Sequence, residues 1–443
     1  MRGSGVSERS EMGRGLRAQM PRSRQADWTP PPRRRDPVEV IRGQEATRIA
    51  SLLPVRHERM AVSPFTYFRG AAAVMAEDLA QTPSCGLTVQ ACGDAHLLNF
   101  GIYATPERRV VFDVNDFDET LAAPFEWDVK RLAASLVVAG RDRDFSADDC
   151  SAAGQAAVAG YRTRIAGSAQ MGHLEVWYAR FDADELLRLT ERADARELAS
   201  TVVHKAEHRT NLSALDKLTA VVDGQRRIID SPPLIEHLAD PVDSVDAEAV
   251  VNQYADSLGD ATRKLLGRYR AVDWARKVVG VGSVGTDDAV VLLMGDTDSD
   301  PLFLQVKEAM ASVLEPFAGA SPYPNHGRRV VAGQRLTQSA SDLFLGWTRL
   351  GQRDYYVRQL RDMKGSIPVE KLAAEELALY GNACGHALAM GHARSGDPVA
   401  IAGYLGAGDR FDHAVTAFAV AYADQNAADY AAFMAAFPPA RAA

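Results

Sequence analysis

Hydrophobic spacing divides the chain into helical and extended stretches. Phe68, Ala72, Met75, Ala76 and Leu79 recur at helical intervals behind Ser63-Pro64-Phe65, a helix start with proline at the first helical position. Val129, Leu132, Ala133 and Leu136 mark one face of a helix over residues 126–139. Residues 38–53 predict one helix and 146–200 several, with Ala- and Leu-rich faces. Helical spacing returns at 246–269, 377–394 and 414–437. The short apolar runs at 87–91, 109–113, 289–294, 302–307, 342–347 and 354–360 predict strands. Asp223-Gly224 between two apolar runs predicts a hairpin over 218–229.

Five segments follow. Residues 1–37 are rich in Arg, Gly, Ser and Pro and predict a disordered basic tail. Residues 38–145 hold the first cluster of candidate chemistry, and 146–272 predict helices with a hairpin that would serve as a substrate cap. Residues 273–365 predict a small antiparallel sheet, and 366–443 predict helices that complete the helical part. The fold class expected is α+β. A net charge of −8 argues against a nucleic-acid role for the whole chain. No apolar run reaches the roughly 20 residues that span a bilayer, and no secretory signal is evident. Cys85, Cys92, Cys150 and Cys384 lack metal-ligand spacing. A cytoplasmic protein is the simplest expectation.

The first cluster flanks a strand. Gly93-Asp94-Ala95-His96 precedes Asn99, and Asp113, Asn115, Asp116 and Asp118 follow the run Val110-Val111-Phe112. Carboxylates at a strand end beside a loop of Asp, His and Asn supply a base, an orienting group and an amide oxygen. Such groups can position a hydroxyl and hold a divalent metal on phosphates. Arg56, Arg59 and Arg69 surround the helix start at Ser63. Exposed surface is the default for arginine, and facing phosphate is the alternative.

The second cluster is Lys277-Val278-Val279-Gly280-Val281-Gly282-Ser283-Val284-Gly285, followed by runs that end at Met294 and Lys307. A P-loop needs Gly-Lys-Ser/Thr, and here Thr286-Asp287 follow Gly285. A dinucleotide-binding turn needs a helix next, and here the next run reads as a strand. What remains is strand, glycine loop, strand, and a third strand ending in lysine. Gly280, Gly282, Ser283 and Gly285 would cover phosphates and Lys307 would hold them. No carboxylate between residues 328 and 338 offers itself to Lys307. Glu308 would point to the other face, and Glu315 is followed by Pro316.

Gly93-Asp94-Ala95-His96-Leu97-Leu98-Asn99, with Val114-Asn115-Asp116-Phe117 behind it, resembles the catalytic core of the protein-kinase-like superfamily. The variant is closer to aminoglycoside and choline phosphotransferases, although Cys92 stands where that group often has His. Pro124-Phe125-Glu126-Trp127-Asp128 resembles the segment that opens the next helix there, and its Asp would brace the loop. The whole chain also resembles a bacterial domain-of-unknown-function family placed in this superfamily. The resemblance implies a two-lobed fold and an ATP- and Mg²⁺-dependent phosphotransferase acting on an unidentified hydroxyl. Asp94 and His96 would be catalytic, Asn99, Asp116 and Asp118 metal-binding, and residues 361–364 the hinge between lobes. Kinase-like chains run glycine loop, lysine, helix, hinge, then catalytic loop and metal Asp. Here the second half comes first, which implies circular permutation. Two rivals stand beside this reading. One is a nucleotide-binding pseudokinase or scaffold. The other is a metal-dependent hydrolase using Asp94, His96, Asp113, Asp116 and Asp118.

Overall fold

The computed structural model describes residues 5–188, 193–208, 211–237, 247–278, 280–360 and 363–438. It corrects the expectation for the N-terminus at once. The stretch 1–37, read as a disordered basic tail, carries helix α1 (Val6–Gln19) and a 3-10 turn at Arg22–Ala26. Its arginines are anchors. Arg17 donates to the Tyr404 carbonyl at 2.9 Å, Arg22 to the Leu405 carbonyl at 2.6 Å, and Arg9 pairs with Asp397 at 3.1 Å. Arg34 joins Asp78 at 2.7 Å to Asp429 at 2.6 Å. Composition shows that the segment has no core of its own. Its partner lies at the other end of the chain, beyond the reach of local pattern.

Helices α2 (Pro37–Glu45), α3 (Leu53–Ala61), α4 (Pro64–Gly70) and α5 (Ala72–Ala80) follow. The predicted start at Ser63 is a capping box, in which Ser63 accepts from the Thr66 N–H and Thr66 from the Ser63 N–H. The run behind it breaks into two helices at Ala71. Gly70 lets α3 come close, because a Cβ there would sit 2.7 Å from the Met60 side chain.

Strands β1 (Thr88–Ala91), β2 (Phe100–Ala104), β3 (Val110–Val114) and β4 (Leu121–Pro124) form two antiparallel pairs, β1 with β4 and β2 with β3. The pairing brings loops 92–99 and 115–120 side by side, and the Asn115 N–H donates to the Asn99 carbonyl at 2.8 Å. Helix α6 (Phe125–Arg141) is buried over almost its whole length and packs on α7 (Ala147–Ser168). Then come α8 (His173–Tyr178), α9 (Ala183–Arg188), α10 (Ala193–Glu207) and α11 (Asn211–Leu218). The hairpin β5 (Thr219–Val222) and β6 (Gln225–Ile228) turns at Asp223-Gly224, both at positive φ, as the dipeptide predicts. Strand β7 (Ile235–Glu236) and helices α12 (Ala247–Ala255) and α13 (Asp260–Leu266) complete the middle segment.

Strands β8 (Arg270–Lys277), β9 (Ala289–Met294) and β10 (Pro301–Ala309) precede α14 (Glu315–Ala318), α15 (His326–Thr337), β11 (Gly346–Leu350) and β12 (Arg353–Gln359). The antiparallel sheet has the order β11-β12-β10-β9-β8-β7. Strand β9 reads AVVLLM because both faces are covered. Val291, Leu293 and Leu304 pack on Tyr254 and Leu258 of α12–α13. Leu292 and Phe303 pack on Ala214, Leu215 and Ile228 of α11 and the hairpin. The middle segment, expected as a substrate cap, therefore supplies the covers of this sheet.

Helices α16 (Ala374–Ser395), α17 (Pro398–Leu405) and α18 (Arg410–Ala436) close the chain. Helix α16 crosses α7 so closely that a Cβ on Gly385 would sit 1.9 Å from the Ala157 carbonyl oxygen. Helix α1 lies on α17, and α18 on α6, so both ends of the chain build one helical body. The protein is α+β. All four cysteines are buried and unpaired. Among the described residues no helix is long and apolar enough to cross a membrane.

Candidate functional site

The first cluster is fixed from α6. Asp128, in its first turn, accepts from the Cys92 N–H at 2.7 Å and the Gly93 N–H at 3.0 Å, the bracing role expected of it. Behind it His392 approaches at 3.2 Å and Tyr161 backs His392 at 2.9 Å, so His392 is structural. One turn further along α6, Arg131 donates from Nε to Asp94 Oδ1 at 2.6 Å, and its Nη2 reaches the same oxygen. Asp94 Oδ2 is left facing His96 Nε2 at 3.8 Å. His96 Nδ1 accepts the Leu98 N–H at 3.2 Å, which assigns the proton to Nε2. Burial pushes the His96 pKa down to about 3, against the pull of Asp94, so the ring is neutral. Asn99 donates its amide to the Asp94 carbonyl at 2.7 Å, which leaves Oδ1 as its open acceptor.

The strand-end carboxylates separate. Asp113 faces away from this loop and accepts from the Ser339 N–H at 2.9 Å and the Val114 N–H at 2.9 Å. Among the described residues Asp116 accepts only the Asp118 N–H, at 3.3 Å. Burial, then the charge of Asp118, raises its pKa. Asp118, expected as a metal ligand, has both oxygens engaged. Lys307 Nζ lies 2.6 Å from Oδ2 and the Tyr356 hydroxyl donates to Oδ1 at 2.5 Å. Burial alone would raise its pKa, but Lys307, the Tyr356 hydroxyl and Arg358 together outweigh burial and hold the carboxyl below its ordinary value. The acidic partner that the sequence did not assign to Lys307 is Asp118. Tyr356 faces the same side because it pairs across the sheet with Lys307.

The glycine loop joins β8 to β9. Gly280 and Gly285 have φ of +69° and +94°, a region that favours glycine. The loop is held from outside. Arg59 donates to the Gly280 carbonyl, Arg48 to the Val284 carbonyl at 2.6 Å, and the Ile49 N–H to the Gly285 carbonyl at 2.8 Å. Val281, at its tip, is buried among Ile41, Met60, Tyr67 and Phe433.

Asp94, His96, Asn99, Asp116, Asp118, Gly280, Gly282 and Ser283 line one cleft. Lys307 reaches its edge through Asp118. Gly285 does not line it, and neither does Asp113. Among the described residues no three His, Cys, Asp or Glu side chains converge as a metal-binding group. Lys364, the last residue of the predicted hinge, lines a neighbouring cavity with Asn115, Arg358 and Gln359. Arg361 and Asp362 lie outside the described residues.

Over residues 48–436 the chain matches a family described as an uncharacterized protein conserved in bacteria, DUF2252. The chain belongs to this family. Neither a curated protein nor a solved structure matches it. The matched span begins at Arg48, so it takes in both the arginine anchors of the glycine loop and the Asp94 loop.

Several site residues were not singled out by the sequence. Arg131 follows Asp128 by three on a helix, a spacing that places both on one face and was the available signal. Tyr356 carried none. Arg56, expected at the surface, is fully buried and donates to the Gly70 carbonyl at 3.0 Å. Arg69 turns into the cleft.

Proposed function

We propose that this protein is an ATP- and Mg²⁺-dependent phosphotransferase acting on a hydroxyl acceptor, on a circularly permuted kinase-like framework. The observation that carries the reading is the single cleft. The Asp94–Asn99 loop, Asp116 and the glycine loop meet there, although Asn99 and Gly280 are far apart in sequence. The order within residues 270–364 supports it. Glycine loop, Lys307, helix α15, two strands and the 361–364 segment follow one another as the superfamily resemblance implies. The motif half, residues 92–128, precedes rather than follows them.

The open oxygens fit the metal. Asn99 Oδ1 and the half-buried Asp116 carboxylate are hard donors, and Mg²⁺ is usually held by one or two carboxylates together with substrate phosphates. Bound there, it would neutralise charge on the phosphates. Asp94 receives the proton of the acceptor hydroxyl at Oδ2 while Arg131 fixes Oδ1. The acceptor O–P bond forms as the bridging O–P bond to ADP breaks, and the proton passes from Asp94 to solvent. Neutral His96 limits the orientation of Asp94 without adding charge.

A second reading, a nucleotide-binding protein without turnover, is favoured by the Asp94–Arg131 ion pair, which already occupies one oxygen of the base. The test is loss of the γ-phosphate from ATP with Mg²⁺ across a panel of hydroxyl-bearing metabolites, for wild type and Asp94→Ala. Transfer by wild type that is lost in Asp94→Ala supports the proposal. Transfer of the same rate in both removes Asp94 from the chemistry, and nucleotide binding with no transfer to any acceptor favours the second reading.

A further inference from the structure

The arginines around the cleft differ in one respect. Arg131 is bonded to Asp94 and the Phe68 carbonyl, and Arg329 to the carbonyls of Asp118, Thr120 and Met310. Arg48 and Arg59 hold the glycine loop. Arg69 lines the same cleft, and its guanidinium makes no hydrogen bond among the described residues. Its Nε is buried without a partner. Asp94 and Asp116 attract its charge and Arg59 opposes it. Desolvating a guanidinium without a bonded partner is unfavourable unless an anion completes the site.

The position of Arg69 is built. It lies in the last turn of α4, which Ser63 caps at the start and Arg56 holds at the Gly70 carbonyl. Its own carbonyl lies against the glycine loop, 3.5 Å from where a Cβ on Gly282 would be. Arg69 thus shares the cleft with the carboxylate that would meet the acceptor and the carboxylate that would hold the metal, and feels the charge of both. The group in transit passes between those two.

We propose that Arg69 is a catalytic residue that binds the phosphoryl group as it moves from ADP to the acceptor oxygen. The inference rests on the phosphotransferase reading. As the bridging O–P bond breaks and the acceptor O–P bond forms, negative charge spreads over the three equatorial oxygens. A fixed fork of N–H donors matches those oxygens. Arg69 takes no proton; that passes to Asp94. Helix α4 supplies the arginine from the same chain, so no partner protein is required for it.

The test is calorimetric binding of Mg²⁺·ADP, alone and with aluminium fluoride as a mimic of the group in transit, to wild type, Arg69→Met and Arg69→Lys. Because the guanidinium makes no hydrogen bond among the described residues, the variants are expected to fold, and their melting temperatures check this. Aluminium fluoride should tighten Mg²⁺·ADP binding to wild type by about 10²-fold, the scale of one lost transition-state donor. Arg69→Met should lose that gain while Mg²⁺·ADP alone binds as before, and Arg69→Lys should recover part of it. A gain kept in Arg69→Met, or no gain in a wild type that binds Mg²⁺·ADP, overturns the proposal. Weakening of Mg²⁺·ADP alone by the same factor also overturns it, since Arg69 would then merely hold the nucleotide. No binding of Mg²⁺·ADP by wild type overturns the phosphotransferase reading as well.

Discussion

The two walls of the cleft are held in different ways. On the helical wall, Asp94 is fixed by Arg131 and its loop by Asp128, partners 37 and 36 residues away. On the sheet wall, the glycine loop is fixed by Arg59 and Arg48, 221 and 236 residues away. The helical wall presents side chains whose other atoms are already bonded. The sheet wall presents backbone whose position depends on the packing of α2–α4. Precise side-chain chemistry is thus built locally, and closure of the site is imposed by the N-terminal segment. The two walls should fail separately, through different substitutions.

The sharpest separation is Asp94→Ala. Turnover should fall by about 10²- to 10⁴-fold, the range for a positioned base, with nucleotide affinity little changed. Steady-state kinetics beside a binding isotherm measure both. A parallel loss of affinity would mean that the walls are coupled through Asp94. Next is Asp128→Ala, which strips the acceptor from two buried N–H groups at about 1–3 kcal/mol each. Denaturant midpoints should drop accordingly, and hydrogen exchange should rise in residues 92–99 without rising in the glycine loop.

Val281→Ala tests the other wall. The side chain is 7% exposed, and full burial of a valine stabilises by about 1.5 kcal/mol, so truncation should lose part of that. Exchange should now rise in residues 280–285 and not in 92–99. This wall offers one further test, which is pH dependence. Asp288, beside the glycine loop, has a buried Oδ2 without a partner among the described residues. Burial, with Asp118 adding to it and Lys307 opposing, pushes its pKa up to about 7. The folded state therefore keeps a proton that the unfolded chain has released. Stability is lost as pH rises from about 4 toward 7. Asp288→Asn should match wild type near pH 4 and gain on it steadily as pH rises toward 7, by on the order of a few kcal/mol, read from urea unfolding at each pH.

The same contrast explains what was legible in the sequence. Asp94, Asn99, Asp116 and the strand between them lie within one short stretch, so motif spacing placed them together. Ser63 and Asp223-Gly224 announced their cap and hairpin because both signals are local. Arg131 stood in an interpretable position and went unnoticed because a charged residue in a helix is ordinarily solvated. The anchoring of the glycine loop by Arg48, Arg59 and Val281 was invisible. Hydrophobic period reports which face is buried, not which distant segment covers it. For the same reason residues 6–19 read as a solvated tail. Polar composition does not reveal a helix whose arginines end on the carbonyls of Tyr404 and Leu405. The partner of Lys307 was sought on a helix, and the structure supplies it from the Asp118 loop.

The central claim is that the two walls hold a magnesium nucleotide between them. The measurement that tests it most directly is thermal unfolding of wild type and Lys307→Met with ATP, with and without Mg²⁺. At about 100 times the dissociation constant, bound ligand should stabilise wild type by roughly 2.7 kcal/mol. That gain should require Mg²⁺ and shrink in Lys307→Met, measured against the variant's own unliganded midpoint. No stabilisation by ATP with Mg²⁺ at millimolar concentration, or one equal in both proteins, would contradict the account.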